Sequence, residues 1–263
     1  MRPLSLAALS ALTLSAQVLA AQQPTLTNTI GMEFVLIKPG TMLVARFQPR
    51  CPERNERWTS NDHARCADMV KRDASPGFSA TIARTFYIGK VEVTQAEWKR
   101  VMGDNPSVFQ KSGTNPVDNV SWADAQAFVR KLNALDNAAR YRLPTEFEWE
   151  YAARAGATEE PTWDEIRANA WEQDVDLGTT HPVGGKNPNA WGLYDTLGNV
   201  WEWVSDFYNE KVFADRVPPK SGKTHVLKGG SFLSDVKNAT WSTHAGGPGS
   251  GFDVGFRVVR EVP

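Results

Sequence analysis

The segment Gly192-Leu193-Tyr194-Asp195-Thr196-Leu197-Gly198-Asn199-Val200-Trp201-Glu202-Trp203 holds the densest set of groups able to do chemistry. Two glycines flank a short turn, and an amide, bulky apolar groups and one carboxylate follow. Irregular backbone of this kind exposes carbonyl oxygens, which a hard cation could collect together with Glu202. A second reading has Asn199 capping a turn and Glu202 pairing with an arginine beneath the tryptophans. Lys228-Gly229-Gly230-Ser231-Phe232 is the next dense stretch, and its glycine pair lets the backbone approach another segment closely. Gly246, Gly247, Gly249 and Gly251 then lead to Asp253. Such a loop could wall a pocket or serve as a plain connector.

Familiar catalytic signatures do not occur. There is no GxSxG, Walker loop, HExxH or Rossmann glycine pattern. His63, His181, His225 and His244 are scattered, so no histidine-rich metal cluster is visible. Cys51 and Cys66 are the only cysteines. An oxidising compartment would favour pairing them. Closing a loop of this size contributes roughly 3 kcal/mol in the chain-entropy picture. His63, three residues before Cys66, offers a metal site as the rival reading.

The elements that position these groups are short. The chain has 263 residues, 41% hydrophobic and 22% charged, which suits an ordinary globular core rather than disorder or coiled coil. A formal net charge of -1 removes any general electrostatic case for nucleic-acid binding. Ten Trp, 20 Gly and 16 Pro imply a loop-rich chain. Residues 1–20, MRPLSLAALSALTLSAQVLA, read as a secretory signal peptide with Val18-Leu19-Ala20 before the cleavage point. The run is too short and too serine-rich to span a membrane, and no later apolar run reaches that length. Export of residues 21–263 without direct membrane insertion is therefore expected.

Ile30 to Val44 reads as a short strand pair around Pro39-Gly40. A charged, disulfide-closed insertion occupies about 45–80. Strands follow at 86–89 and 91–93, and Thr94 caps a helix to about Met102. Ser121 caps a second helix, with Trp122, Ala125, Phe128, Val129 and Leu132 at helical spacing. Thr145 to Glu148 is a capping box that opens a third helix through about Arg154. Residues 157–263 read as Gly-, Asn- and Trp-rich loops with short strands, closing on Gly255–Val259. One α+β domain with much irregular structure is predicted.

MEFVLIKPG, FYIGKVEVTQAEW, NPVDNVSWADAQAF, YRLPTEFEWEYAARAG, WGLYDTLGNVWEW, LKGGSF and GFRVVR occur in this order. Together, from about residue 28 to 260, they resemble the formylglycine-generating-enzyme (sulfatase-modifying factor) domain. The resemblance implies a single α+β domain related to C-type lectin-like folds. Catalytic members oxidise a substrate cysteine to formylglycine with copper on two cysteines, three and eight residues past the serine of GGS. Ser234 and Ala239 stand at those positions here. Cu(I) is soft and needs soft ligands. Neither copper nor formylglycine generation is expected. The resemblance also implies structural calcium. One site would use backbone oxygens around Leu197, Gly198 and Val200 with the carboxylate of Glu202. A second would begin at Asn169 and Ala170, with Asp174 or Asp176 downstream.

Two functions follow from the resemblance. The first is a non-catalytic periplasmic regulator of a type VI secretion Ser/Thr kinase pathway. It would bind the kinase's periplasmic region, or another envelope protein, through a groove lined by Ser231, Ser234, Trp241 and His244. The alternative is a periplasmic oxidoreductase of siderophore (pyoverdine-type) maturation, with Asp235, His244 and Asp253 as acid or base. Carbohydrate binding is a third idea and rests on fold analogy alone.

Overall fold

Threonine or serine side chains begin the best-defined helices. Thr94, Ser121, Thr145 and Thr162 each accept from the backbone N–H three residues on, and the acid at that position answers the cap's own N–H. These reciprocal bonds satisfy donors that a helix start leaves open. A computed structural model describes residues 23–44, 51, 59–73, 77–173, 178–236, 238–247 and 249–262. The signal peptide expected at 1–20 lies outside the described residues.

In chain order the first elements are β1 (Thr25–Thr27), β2 (Glu33–Ile37), β3 (Gly40–Val44), α1 (Ser60–Asp73), β4 (Phe78–Ile82) and β5 (Phe86–Gly89). Next come α2 (Gln95–Met102), α3 (Trp122–Leu135), β6 (Tyr141–Arg142), α4 (Glu146–Arg154) and α5 (Trp163–Asn169). The chain ends with β7 (Trp201–Phe207), α6 (Val212–Asp215), β8 (His225–Lys228), β9 (His244–Gly246), β10 (Val254–Phe256) and β11 (Val259–Glu261).

A five-stranded antiparallel sheet runs β1-β2-β5-β11-β6, so the chain's first and last strands share one layer. A four-stranded sheet runs β10-β7-β8-β9, with β10 parallel to β7. The core lies between α2, α3 and these strands. Trp98 stacks on Phe128 at 5.5 Å, and Phe256 meets Phe128 edge-on at 5.4 Å.

Helices α2, α3 and α4 fall where the sequence places them. Three expectations change. The strands of residues 30–44 do not pair with each other: β1 and β5 take both edges of β2, so β3 turns away and pairs with β4. Residues 91–93 form no strand. The Val93 N–H goes to Phe256 O and its carbonyl to the Val117 N–H, which turns Glu92 into the interior. The insertion contains a 14-residue helix, α1, and α5 appears after Gly156 where no long period is visible. Both helices carry too few apolar residues in register to stand out in the sequence.

Candidate functional site

The residue 195–202 turn is built on left-handed backbone. Asp195, Gly198 and Asn199 have φ of 51°, 76° and 59°. A Cβ at Gly198 would collide with the Trp171 carbonyl, so only glycine fits. Asn199 is fully buried and braces the turn: its Nδ2 donates to Glu92 Oε2 at 2.8 Å and its Oδ1 accepts from the His181 N–H at 3.0 Å.

Glu202 points into the same interior. Arg257 Nη2 and Nε donate to its two oxygens at 2.5 and 2.6 Å, and Trp149 Nε1 donates at 2.7 Å. The remaining Arg257 donors reach the carbonyls of Gly89, Tyr194 and Asp195 at 3.1–3.2 Å. Of the two readings of this motif, the pairing of Glu202 with an arginine among tryptophans is thus realised in the geometry. It leaves charge unbalanced. Three buried carboxylates, Glu92, Asp195 and Glu202, face one guanidinium. Burial, then the Asp195 and Glu202 charges, pushes Glu92 well above the usual carboxylate range. Burial also raises Asp195 to about 6. Asp195 Oδ2 accepts from the Gly184 N–H at 2.6 Å, while its buried Oδ1 has no partner.

Among the described residues, no three His, Cys, Asp or Glu side chains are grouped so as to hold a metal ion, so Glu92, Asp195 and Glu202 form no carboxylate cage. Calcium takes carboxylate and carbonyl oxygens; at the expected site these would be the backbone oxygens around Leu197, Gly198 and Val200 and the carboxylate of Glu202, whose two oxygens accept from Arg257 and Trp149. Sequence reading missed the part Glu92 plays in bracing the turn, because it sits about a hundred residues upstream, inside an apparent strand. The second cation position is less developed. Asn169 Oδ1 is held by Asn187 Nδ2 at 2.9 Å, the Ala170 N–H goes to Ile166 O, and Asp174 and Asp176 lie outside the described residues.

The four groove residues fall in two surroundings. Ser231 and Ser234 tie one turn: the Ser231 N–H donates to Ser234 Oγ at 2.9 Å, and the Ser234 N–H returns to Ser231 O at 2.9 Å. Ser231 Oγ donates to Asp253 Oδ2 at 2.8 Å. Trp241 packs against two apolar clusters, its backbone N–H donates to Glu160 Oε2 at 3.3 Å, and the Arg154 guanidinium lies 5.9 Å from its ring. His244 lies against Glu146, Nδ1 to Oε1 at 3.0 Å, within a buried charge chain that continues through Lys228, Glu150, Arg154 and Glu160. Of the groups named as acid or base, Asp253 is engaged by Ser231, and Asp235 accepts from the Asn238 N–H at 3.1 Å.

Beside the Ser231 turn, the fold assembles an aromatic patch. Phe109 meets Phe232 at 5.4 Å and Phe252 at 6.1 Å, both edge-on. Val108, Leu233 and Phe252 at its margin are 57%, 43% and 46% exposed. Asp118 holds the loop beneath by accepting from the Val108 N–H at 2.7 Å, and burial raises its carboxyl to about 6. Only Phe232 stood out in the sequence, because the other members come from separate loops.

Ala239 is fully buried. It shares an apolar cluster with Trp163, Leu197, Val236 and Cys66, and Cys51 packs against the same cluster. The disulfide is formed, with Cα atoms 5.9 Å apart. Far from Ala239 in sequence, it comes to the same cluster in the fold.

An antiparallel five-stranded sheet, a mixed four-stranded sheet and short capped helices make an α+β domain. The chain belongs to the sulfatase-modifying factor family: the Sulfatase-modifying factor enzyme 1-like domain matches residues 20–262. It is similar to the formylglycine-generating enzyme of Streptomyces coelicolor, 35% identical over 200 residues, which cover 65% of this chain and 60% of that protein. It is 33% identical over 164 residues to serine/threonine-protein kinase pkn1 of Chlamydia pneumoniae, covering 56% of this chain and 24% of that protein. The chain thus spans less than two thirds of the length of either relative. Among solved structures, Treponema denticola variable protein 1 superposes with a TM-score of 0.69 at 27% identity, over 91% of this chain and 99% of that one. Among the described residues, no helix is long and apolar enough to cross a membrane.

Proposed function

We propose that this chain is a non-catalytic member of its family. It acts in the periplasm, after export, as an adaptor that promotes signalling through a type VI secretion Ser/Thr kinase pathway. One observation carries the reading. The two positions that bear copper thiolates in catalytic relatives are built into the fold. Ser234 Oγ is taken by the Ser231 N–H, and Ala239 presents a buried methyl. Neither supplies a soft ligand.

The docking surface moves from the groove expected in the sequence to Val108, Leu233 and Phe252, the exposed rim around the buried Phe232. Exposed aromatic and aliphatic side chains grouped in this way mark protein contacts. The partner is an envelope protein, the periplasmic region of a membrane Ser/Thr kinase. The kinase-named relative gives this choice its support. Calcium, held by backbone oxygens around Leu197, Gly198 and Val200 with the carboxylate of Glu202, is structural: it fixes the turn.

The test has two arms. Purified protein, loaded with copper and given a CxPxR-type peptide, should yield no formylglycine above background by mass spectrometry. Binding of the purified kinase periplasmic region should be saturable and should weaken when Phe252 becomes Asp. Formylglycine product would refute the first statement, and undiminished binding by the variant would refute the second.

A further inference from the structure

Between β4 and β5 the chain changes sheets. Ile82, the last residue of β4, pairs with Gly40 of β3, while Phe86 opens β5 and pairs with Ile37 and Glu261. The turn of residues 83–85 therefore crosses from the two-stranded ribbon to the five-stranded sheet. Phe147 of α4 stands in that corner. It packs against the cluster of Val35 and Ile37 and against that of Val44, Phe78 and Ala80, and it meets the Phe78 ring edge-on at 5.7 Å. With this ring between the two sheets, a cavity of about 350 Å³ remains at the corner. That volume is within the range of small-molecule sites. The cavity shares no lining residue with the Ser231 turn, the aromatic patch or the turn of residues 195–202.

Two arginines and two glutamates line it, and their pairing is uneven. Arg142 Nη1 and Nη2 donate to Glu148 Oε2 and Oε1 at 2.6 and 2.7 Å, Nε donates to Glu261 Oε1 at 3.0 Å, and Nη1 also reaches Leu143 O at 3.2 Å. Glu148 Oε2 accepts from the Thr145 N–H at 2.9 Å as well, and Glu261 Oε2 lies 3.4 Å from Arg140 Nε. Both carboxylates are thus answered within the wall. Arg84 is exposed on the turn at the cavity mouth and has no ion-pair partner among the described residues. With Arg140 behind Glu261, three guanidiniums stand against two carboxylates. An ammonium would meet acids already neutralised, whereas an anion meets the Arg84 guanidinium.

We propose that this cavity binds a small aromatic carboxylate, with its carboxylate on Arg84 and its ring against Phe147, Ile82 and the guanidinium of Arg142. A guanidinium fork matches the two oxygens of a carboxylate. The body of the ligand is apolar because Ile82 and Phe86 form a buried floor and Val262 a further apolar wall. It is aromatic because Arg142, its hydrogen bonds spent on Glu148 and Glu261, still has a planar face on which a ring stacks. The site stands independently of the adaptor function and of calcium.

Calorimetric titration of the purified chain tests it. Hydrocinnamate should bind saturably at one site, and its neutral amide and phenylpropylamine should bind about tenfold or more weakly, because a charge-assisted bond is lost. Arg84→Gln removes the same bond at an exposed position, so it should weaken hydrocinnamate to the same extent and leave the thermal midpoint unmoved. Ala83→Trp places a ring in the mouth and should abolish binding; if that variant unfolds, Arg84→Gln decides alone. No saturable binding at millimolar hydrocinnamate overturns the proposal, and so does an amide or amine that binds as well as the acid. Binding that survives the substitution at Arg84 unchanged lies elsewhere on the molecule and overturns the site.

Discussion

Arg257 grips Glu202 with two nitrogens, at 2.5 and 2.6 Å, inside an interior that also holds Glu92 and Asp195. The last strand region of the chain is thereby joined to the turn of residues 195–202 and, through Asn199 and Glu92, to the stretch after β5. Removing one partner of such a pair leaves an uncompensated buried charge. Arg257→Met should cost about 3–5 kcal/mol, read as a lower denaturant midpoint. A cost below about 1 kcal/mol would mean that the interior is wetter than its burial indicates.

Calcium should raise the thermal midpoint, and a chelator should lower it. Glu202→Gln should remove most of that response, because it replaces the one carboxylate of the proposed site. Stabilisation follows the ratio of free ion to its dissociation constant, so it should grow with calcium concentration. Isothermal titration calorimetry that detects no calcium binding to wild type would end the cation assignment.

Asp195 fixes a pH dependence. The folded carboxyl of Asp195 titrates at about 6, above its ordinary 3.8. The stability linked to the protonated form is then complete below the ordinary value and is lost as pH rises toward and past 6. Ion-free protein should lose up to about 3 kcal/mol over that interval from this group. Bound calcium favours the ionised form and should flatten or reverse the slope. Chemical denaturation at several pH values, with and without calcium, checks the sign.

Gly198 tests the turn directly. Its φ of 76° and the Trp171 carbonyl beside it leave no room for a side chain. Gly198→Ala should destabilise by at least about 2 kcal/mol. A near-neutral result would show that the turn can relax away from Trp171.

Phe252→Asp separates docking from folding. The side chain is 46% exposed, so stability should change by less than about 1 kcal/mol. Affinity for the kinase periplasmic region should fall about tenfold or more if the aromatic patch is the contact. Surface plasmon resonance and thermal unfolding on one preparation distinguish the two effects.

Much of the molecule is written locally. Thr94, Ser121 and Thr145, each with an acid three residues on, set the starts of α2, α3 and α4, because a cap acts through bonds spanning only a few residues. The ordered motifs set the family, and the residues at 234 and 239 set the absence of thiolates there. What the tertiary structure decided depends on groups far apart in the chain. Glu92 and Glu202 converge with Arg257 only after the β5 region, β7 and the β10 region pack, and no periodicity encodes that meeting. Phe109, Phe232 and Phe252 form a patch because three loops close on one another. The disulfide reaches Ala239 because segments far apart in sequence close one apolar cluster around Trp163 and Leu197. Short-range hydrogen bonding can be read from neighbours in sequence, whereas burial and charge balance exist only once distant segments share an interior.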